Sequence, residues 1–169
     1  MGAIFLEGET MIFYIKNKYV SLRGSSYILN EKKENAYMVK GRFFSWRKRK
    51  YLKDLNDETI FMIRNKFFNI FFPTVYIFDH DGEKVATLKH DGLTGFKVID
   101  YKDDIRVQKG IRWTREITKN GVKVGSIRRN IDLRDSFTLE INDNEDVEFY
   151  LALIIAIDNF VDKANNESN

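Results

Sequence analysis

The sequence predicts a mainly β protein, an antiparallel meander whose sheet wraps around one buried C-terminal helix. Three observations carry this. A motif of alternating basic and apolar residues returns every 24 residues, Phe (14) and Tyr (8) are abundant, and one long apolar run stands near the C-terminus at 147–161. Aromatic residues favour strands, and a fixed short period marks one supersecondary unit used repeatedly.

The repeat is visible on aligning YIKNKYVSLRGSSYILNE from Tyr14, MVKGRFFSWRKRKYLKDL from Met38 and MIRNKFFNIFFPTVYIFDHDG from Met62. Lys16, Lys40 and Arg64 fall in register, as do Tyr19, Phe43 and Phe67. Tyr27 and Tyr51 match, and Tyr76 follows after a one-residue insertion near Pro73. Weaker copies start at Thr87 and Ser126. Each unit reads strand, turn, strand, turn. Asn56-Asp57, Asp81-Gly82 and Asn120-Gly121 supply turn signals, and VYIFDHDGEKVATLK and REITKNGVKVGSIRR read as hairpins. Between Met11 and Ile141 there is room for roughly ten to twelve short strands, which close into a barrel or split into a sandwich. The Leu-x-x-Leu-x-Leu pattern of leucine-rich repeats is absent, which disfavours a solenoid.

The run VEFYLALIIAIDNFV is the element that decides the architecture. As a helix it spans about 22 Å, short of a hydrocarbon core of about 30 Å. Asp158 near its end also argues against a membrane span. Asn142 with Glu145 three residues on is a candidate capping box, and Asp143, Asp146 and Glu148 suit the positive end of the helix dipole. Leu151, Leu153, Ile154, Ile155, Ile157 and Phe160 cover every side, and a helix apolar all round is buried. The expectation is a core plug inside the sheet. Asp158 must then be paired, and is expected at the barrel mouth, bonded to backbone or to a basic strand residue.

The chain has 169 residues, enough for one domain with a sizeable core. Residues 1–10 read as an extension, 11–163 as the domain and 164–169 as a disordered tail. MGAIFLEGET has neither a basic n-region nor an apolar h-region, and Leu6 stands where myristoylation needs Ser or Thr. There is no Cys, which excludes disulfides, thiolate metal sites, a Cys nucleophile and palmitoylation and fits a cytoplasmic protein. Net charge is +3, but from Glu140 onward eight acidic residues face one basic residue, Lys163, leaving 27 basic against 17 acidic before it. Such a basic body points to an anionic partner, with solvated strand faces as the plain alternative.

The pieces YIKNKYVSL (14–22), KGRFFS (40–45), DGEKVAT (81–87) and LALIIAID (151–158) together resemble the LURP-one-related family. The last, with Asp158, is the most specific. The resemblance runs from about Met11 to Val161. It implies the tubby C-terminal-like fold shared with phospholipid scramblases, a closed twelve-stranded β-barrel around a C-terminal hydrophobic helix. It implies no catalytic motif and no cofactor. Tubby-like relatives bind phosphoinositides through basic barrel residues. Scramblase relatives act at membranes but carry a Cys-rich lipidated segment that this chain lacks, and plant members are associated with pathogen defence.

The candidate binding site is KGRFFSWRKRKYLK, with Lys40, Arg42, Arg47, Lys48, Arg49, Lys50 and Lys53 and no acidic residue until Asp54. The other repeats hold RGSS and FFPT where RKRK stands, so the geometry of the repeat does not demand these charges. Clustered cations near an anionic membrane are worth about 1 kcal/mol each. Trp46 and Phe44 beside them suit a lipid headgroup region or stacking on bases. The competing reading is a solvated hairpin that protects a strand edge. Anionic lipid at an inner membrane surface ranks ahead of nucleic acid, and a protein-interaction scaffold is the alternative function. Arg128-Arg129 with Arg134 form a second basic cluster. DHDGE (79–83) begins like a Ca²⁺ loop but lacks the later ligands, so an ordinary turn is expected. His80 and His90, each beside an Asp, could lie close together as a metal pair, though exposed turn positions explain them more simply. No Walker, Rossmann or G-x-S-x-G fingerprint is present, so catalysis is not expected.

Overall fold

The structure is a computed structural model that describes residues 9–16, 25–41, 49–66, 74–111, 113–130 and 136–166. It contains twelve strands, each hydrogen-bonded to its neighbours in the sequence, and the last closes on the first. They are β1 (Thr10–Lys16), β2 (Ser25–Leu29), β3 (Asn35–Gly41), β4 (Arg49–Lys53), β5 (Thr59–Asn65), β6 (Thr74–Phe78), β7 (Lys84–Asp91), β8 (Gly95–Ile99), β9 (Ile105–Lys109), β10 (Thr114–Lys119), β11 (Val122–Asn130) and β12 (Ser136–Asn142). Closure pairs Met11 with Ile141 and Phe13 with Leu139, so no sheet edge is left open. The helix α1 (Val147–Asn166) follows β12. β1 thus begins one residue inside the expected extension, and the helix reaches three residues into the expected tail.

The 24-residue repeat is one hairpin-and-return unit, and its turns show why it persists. Asn30, Asp54 and Asp79 occupy the same place before β3, β5 and β7. In each case the side-chain Oδ1 accepts the N–H of the residue four positions on, Glu34, Glu58 or Glu83, at 2.8–3.0 Å. The backbone N–H of the same residue bonds back to that glutamate's carbonyl. The position before the glutamate is left-handed each time: Lys33 (φ 65°), Asp57 (φ 69°) and Gly82 (φ 86°). Short Asn or Asp side chains make such Asx turns readily. The register shifts at an equivalent point just before each turn, at Ile28/Leu29, Leu52/Lys53 and Ile77/Phe78. Bulges repeated at one height sharpen the twist that barrel closure requires.

Alternation then fills the interior. Ile28, Leu52, Ile63, Ile77, Leu88, Val107, Ile117, Leu139 and Ile141 are fully buried around a helix buried from Phe149 to Asn159. The helix packs chiefly against β5 and β6. Phe149 is the aromatic hub, stacked on Tyr101 at 4.1 Å and meeting Phe61 edge-on. β11 and β12 approach so closely at Gly125 that a Cβ there would stand 2.5 Å from the Glu140 carbonyl oxygen.

The start of the helix differs from the expected capping box. Asp146 is the cap: its Oδ1 accepts the Phe149 N–H at 3.1 Å, and its carbonyl accepts the Tyr150 N–H. Asn142 still belongs to β12, and Glu145 is held elsewhere, by Lys119 and Tyr150. The helix therefore starts four residues later than a cap at Asn142 would place it.

Candidate functional site

Strand alternation distributes the basic candidates rather than gathering them. Successive residues of a strand point to opposite faces. On β4, Leu52 is buried in the core, so Lys50 also turns inward, opposite Ile63. Its Nζ lies 2.6 Å from Asp158 Oδ2 on the helix, with both side chains largely shielded. The expected partner of Asp158 is therefore found, a basic strand residue, and it comes from within the basic cluster itself.

Lys40 and Lys53 lie on the outer face and share one carboxylate. Lys40 Nζ is 2.7 Å from Asp57 Oδ2, and Lys53 Nζ is 2.9 Å from Asp57 Oδ1 and also donates to the Asp57 carbonyl. The hydrogen bonds from Lys40 and then Lys53 hold the Asp57 carboxyl below the usual carboxylate range. Arg49 faces outward opposite Arg64, whose guanidinium stands 4.7 Å from the Phe78 ring centroid. The Arg49 Nε is shielded without a hydrogen-bond acceptor. Arg42, Arg47 and Lys48 lie outside the described residues. Among the described candidates, Lys40 and Lys53 come together, while Arg49 and Lys50 part to opposite faces.

The other sequence candidates separate too. His80 sits in the turn before β7 and His90 near the far end of that strand, so the two histidines are not neighbours. β7 has eight residues, and at about 3.3 Å per residue the strand holds them more than 20 Å apart. Asp79 of DHDGE serves the turn, accepting the Asp81 and Glu83 N–H groups. Among the described residues no three His, Asp or Glu side chains form a group able to hold a metal ion. Arg128 points outward to Glu140 at 3.0 Å, whereas Arg129 belongs to the opposite face. Arg134 lies outside the described residues.

Sequence reasoning missed a cluster where the helix enters the barrel. Tyr150 donates to Glu145 at 3.2 Å, and Lys119 binds both oxygens of that carboxylate at 2.7 Å. Burial pushes the Tyr101 phenol up to about 12, with Asp146 adding to it. Tyr150 is pushed up further by burial and by Glu145, and Tyr37 rises through burial and Glu148. Three phenols thus stay protonated beside carboxylates and close this end. No local spacing announces the cluster, because its members come from β3, β10, the β8–β9 turn, the β12–α1 turn and the helix.

The two ends of the barrel differ in charge. The turns at the helix-entry end read NEKKE (30–34), DLNDE (54–58), DHDGE (79–83), DYKDD (100–104) and DNED (143–146), strongly acidic in sum. Between the remaining strand pairs the sequence reads NKYVSLRG, RFFSWRK, KFFNIFFP, GLT, GIRW and IDLRD, with no carboxylate except Asp132 and Asp135. Of these, 66, 92–94, 110–111 and 113 are described, and they stand at the opposite end of the barrel.

A closed antiparallel barrel with one helix through its core is the tubby C-terminal-like fold. Among solved structures it is similar to an X-ray structure of a protein from Arabidopsis thaliana, with a TM-score of 0.67 and 16% identity over 90% of this chain and 92% of that one. The LURP-one-related family model matches residues 11–158, and the chain belongs to that family. No functionally curated protein matches the sequence. No helix among the described residues is long and apolar enough to cross a membrane.

Proposed function

We propose that this chain is a non-catalytic binding module that docks peripherally on anionic phospholipid at the inner membrane surface through the basic end of its barrel. The observation that carries this reading is the separation of charge between the two ends. A body with one acidic and one basic end orients itself at a negative surface before it touches it, and each cation brought near that surface contributes about 1 kcal/mol. The contact set differs from the whole 40–53 cluster. Lys50 belongs to the interior, and Lys40 and Lys53 are turned toward Asp57. Arg49 remains, together with Arg42, Arg47 and Lys48 of the β3–β4 connection.

Co-sedimentation with phosphatidylcholine vesicles, with and without phosphatidylserine or phosphoinositide, tests the proposal at low and physiological salt. Binding should need the anionic lipid and weaken as salt shortens the Debye length to about 8 Å. Combined Arg47→Glu, Lys48→Glu and Arg49→Glu should reduce it at least tenfold while Lys50 keeps its interior partner. Absence of binding at physiological salt sinks the lipid reading and leaves the module as a protein-interaction scaffold.

A further inference from the structure

Two neighbouring hairpins at the basic end carry features that the candidate cluster does not include. Leu93, at the β7–β8 tip, is 99% exposed. Ile111 and Trp113, at the β9–β10 tip, are 82% and 62% exposed. Large apolar side chains so fully in water, grouped on adjacent tips, mark a contact surface. Arg115 Nη1 donates to the Thr94 carbonyl and ties the two tips together, while the Arg129 N–H of β11 bonds the Trp113 carbonyl at 3.1 Å.

Behind the tips stand cations of an unusual kind for this protein. Elsewhere Lys84, Lys119, Lys123 and Arg128 each hold a carboxylate. Here Lys109 lies directly opposite Arg115 across β9–β10, and Lys89 directly opposite Lys97 across β7–β8. Like charges in register repel, and no carboxylate among the described residues forms an ion pair with any of these four. Arg115 shares the interior face of β10 with buried Ile117, and its guanidinium lies 5.1 Å from the Phe96 ring centroid. Burial lowers its pKa, as expected of a desolvated cation without a counter-ion. The two pairs lie on opposite faces: Lys109 and Arg115 on the interior face with buried Val107 and Ile117, Lys89 and Lys97 on the outer face. An anion at the barrel mouth would offset the Lys109–Arg115 repulsion.

We infer that the β7–β8 and β9–β10 tips form a lipid-docking wedge, in which Leu93, Ile111 and Trp113 enter the headgroup–acyl boundary of an anionic bilayer while Lys109 and Arg115 bind lipid phosphate. The aliphatic tips select lipid over nucleic acid. Bases stack on aromatic rings, whereas Leu and Ile gain by leaving water for hydrocarbon, and Trp prefers the membrane interface. This deepens the proposed function and rests on it, since it fixes which end of the barrel inserts and by which residues.

The absence of cysteine makes a clean test available. Ile111→Cys carries an environment-sensitive dye at the wedge, and Asn56→Cys carries it in an acidic turn at the opposite end. Both proteins are mixed with phosphatidylcholine–phosphatidylserine vesicles containing a spin-labelled acyl chain, and co-sedimentation is read on the same samples. The dye at 111 should be quenched several-fold more than the dye at 56. Lys109→Glu, alone and combined with Arg115→Gln, should weaken sedimentation, at least tenfold for the pair, at physiological salt, with an unchanged melting temperature as the folding control. Sedimentation without preferential quenching at 111 overturns the wedge and leaves the broader lipid reading standing. Unchanged binding by the charge variant removes the phosphate role of the cations. No sedimentation of either labelled protein or of the unlabelled chain overturns both.

Discussion

Lys50 and Asp158, 108 positions apart in the chain, meet as an ion pair of 2.6 Å between β4 and the internal helix. The contact pins the far half of the helix to the barrel wall and removes one charge from the basic cluster. A partly buried pair of this kind is not necessarily more stable than two apolar side chains, but breaking it removes a charge-assisted hydrogen bond from a shielded site.

Asp158→Leu and Lys50→Met should therefore each destabilise the protein by about 2 kcal/mol. Combining Lys50→Met with Asp158→Leu should recover much of that loss. Urea unfolding of the four proteins measures it, and additive losses in the double variant would refute the coupling.

At Gly125 the backbones of β11 and β12 approach closely. An added methyl would stand 2.5 Å from the Glu140 carbonyl and 2.7 Å from Ile141 Cδ1. Gly125→Ala should cost about 1–3 kcal/mol through forced strand displacement. Gly41 has nothing within 4 Å of a Cβ, so Gly41→Ala should leave the melting temperature nearly unchanged. Equal melting temperatures for the two variants would contradict the described packing.

The raised phenols predict alkaline instability. Tyr101 is pushed up to about 12 when folded, against about 10 in an unfolded chain. Its contribution is fully present below the unfolded pKa and is lost as pH rises toward the folded value, because only the unfolded state readily gives up the proton. Stability should fall from about pH 10 upward. Tyr101→Phe should make that fall shallower and remove one late step from the phenolate absorbance titration. A Tyr101 phenol titrating near 10 in the folded protein would falsify this.

Much of the fold is legible from the sequence because its rules are local. Asn30, Asp54 and Asp79 each need only four following residues to make their turn. Alternation at period 2 and the all-apolar helix need only their own side chains. The cap moved from Asn142 to Asp146 because β12 claims Asn142 for its ladder with Thr10, a competition outside the helix.

The sequence by itself therefore determined a β meander of roughly ten to twelve strands with a plugged core, its family resemblance and its uneven charge. Only the tertiary structure decided which charges act together. Lys50 and Arg49 are adjacent in sequence yet face the core and the solvent, and Lys40 and Lys53 are drawn to Asp57. Leu93, Ile111 and Trp113 carry no local signal of a shared surface, and the tertiary structure leaves them in water at one end. The physical reason is the same in both cases. Backbone pairing and side-chain alternation are encoded over a few residues, whereas charge neutralisation and exposure depend on which distant strands closure makes neighbours.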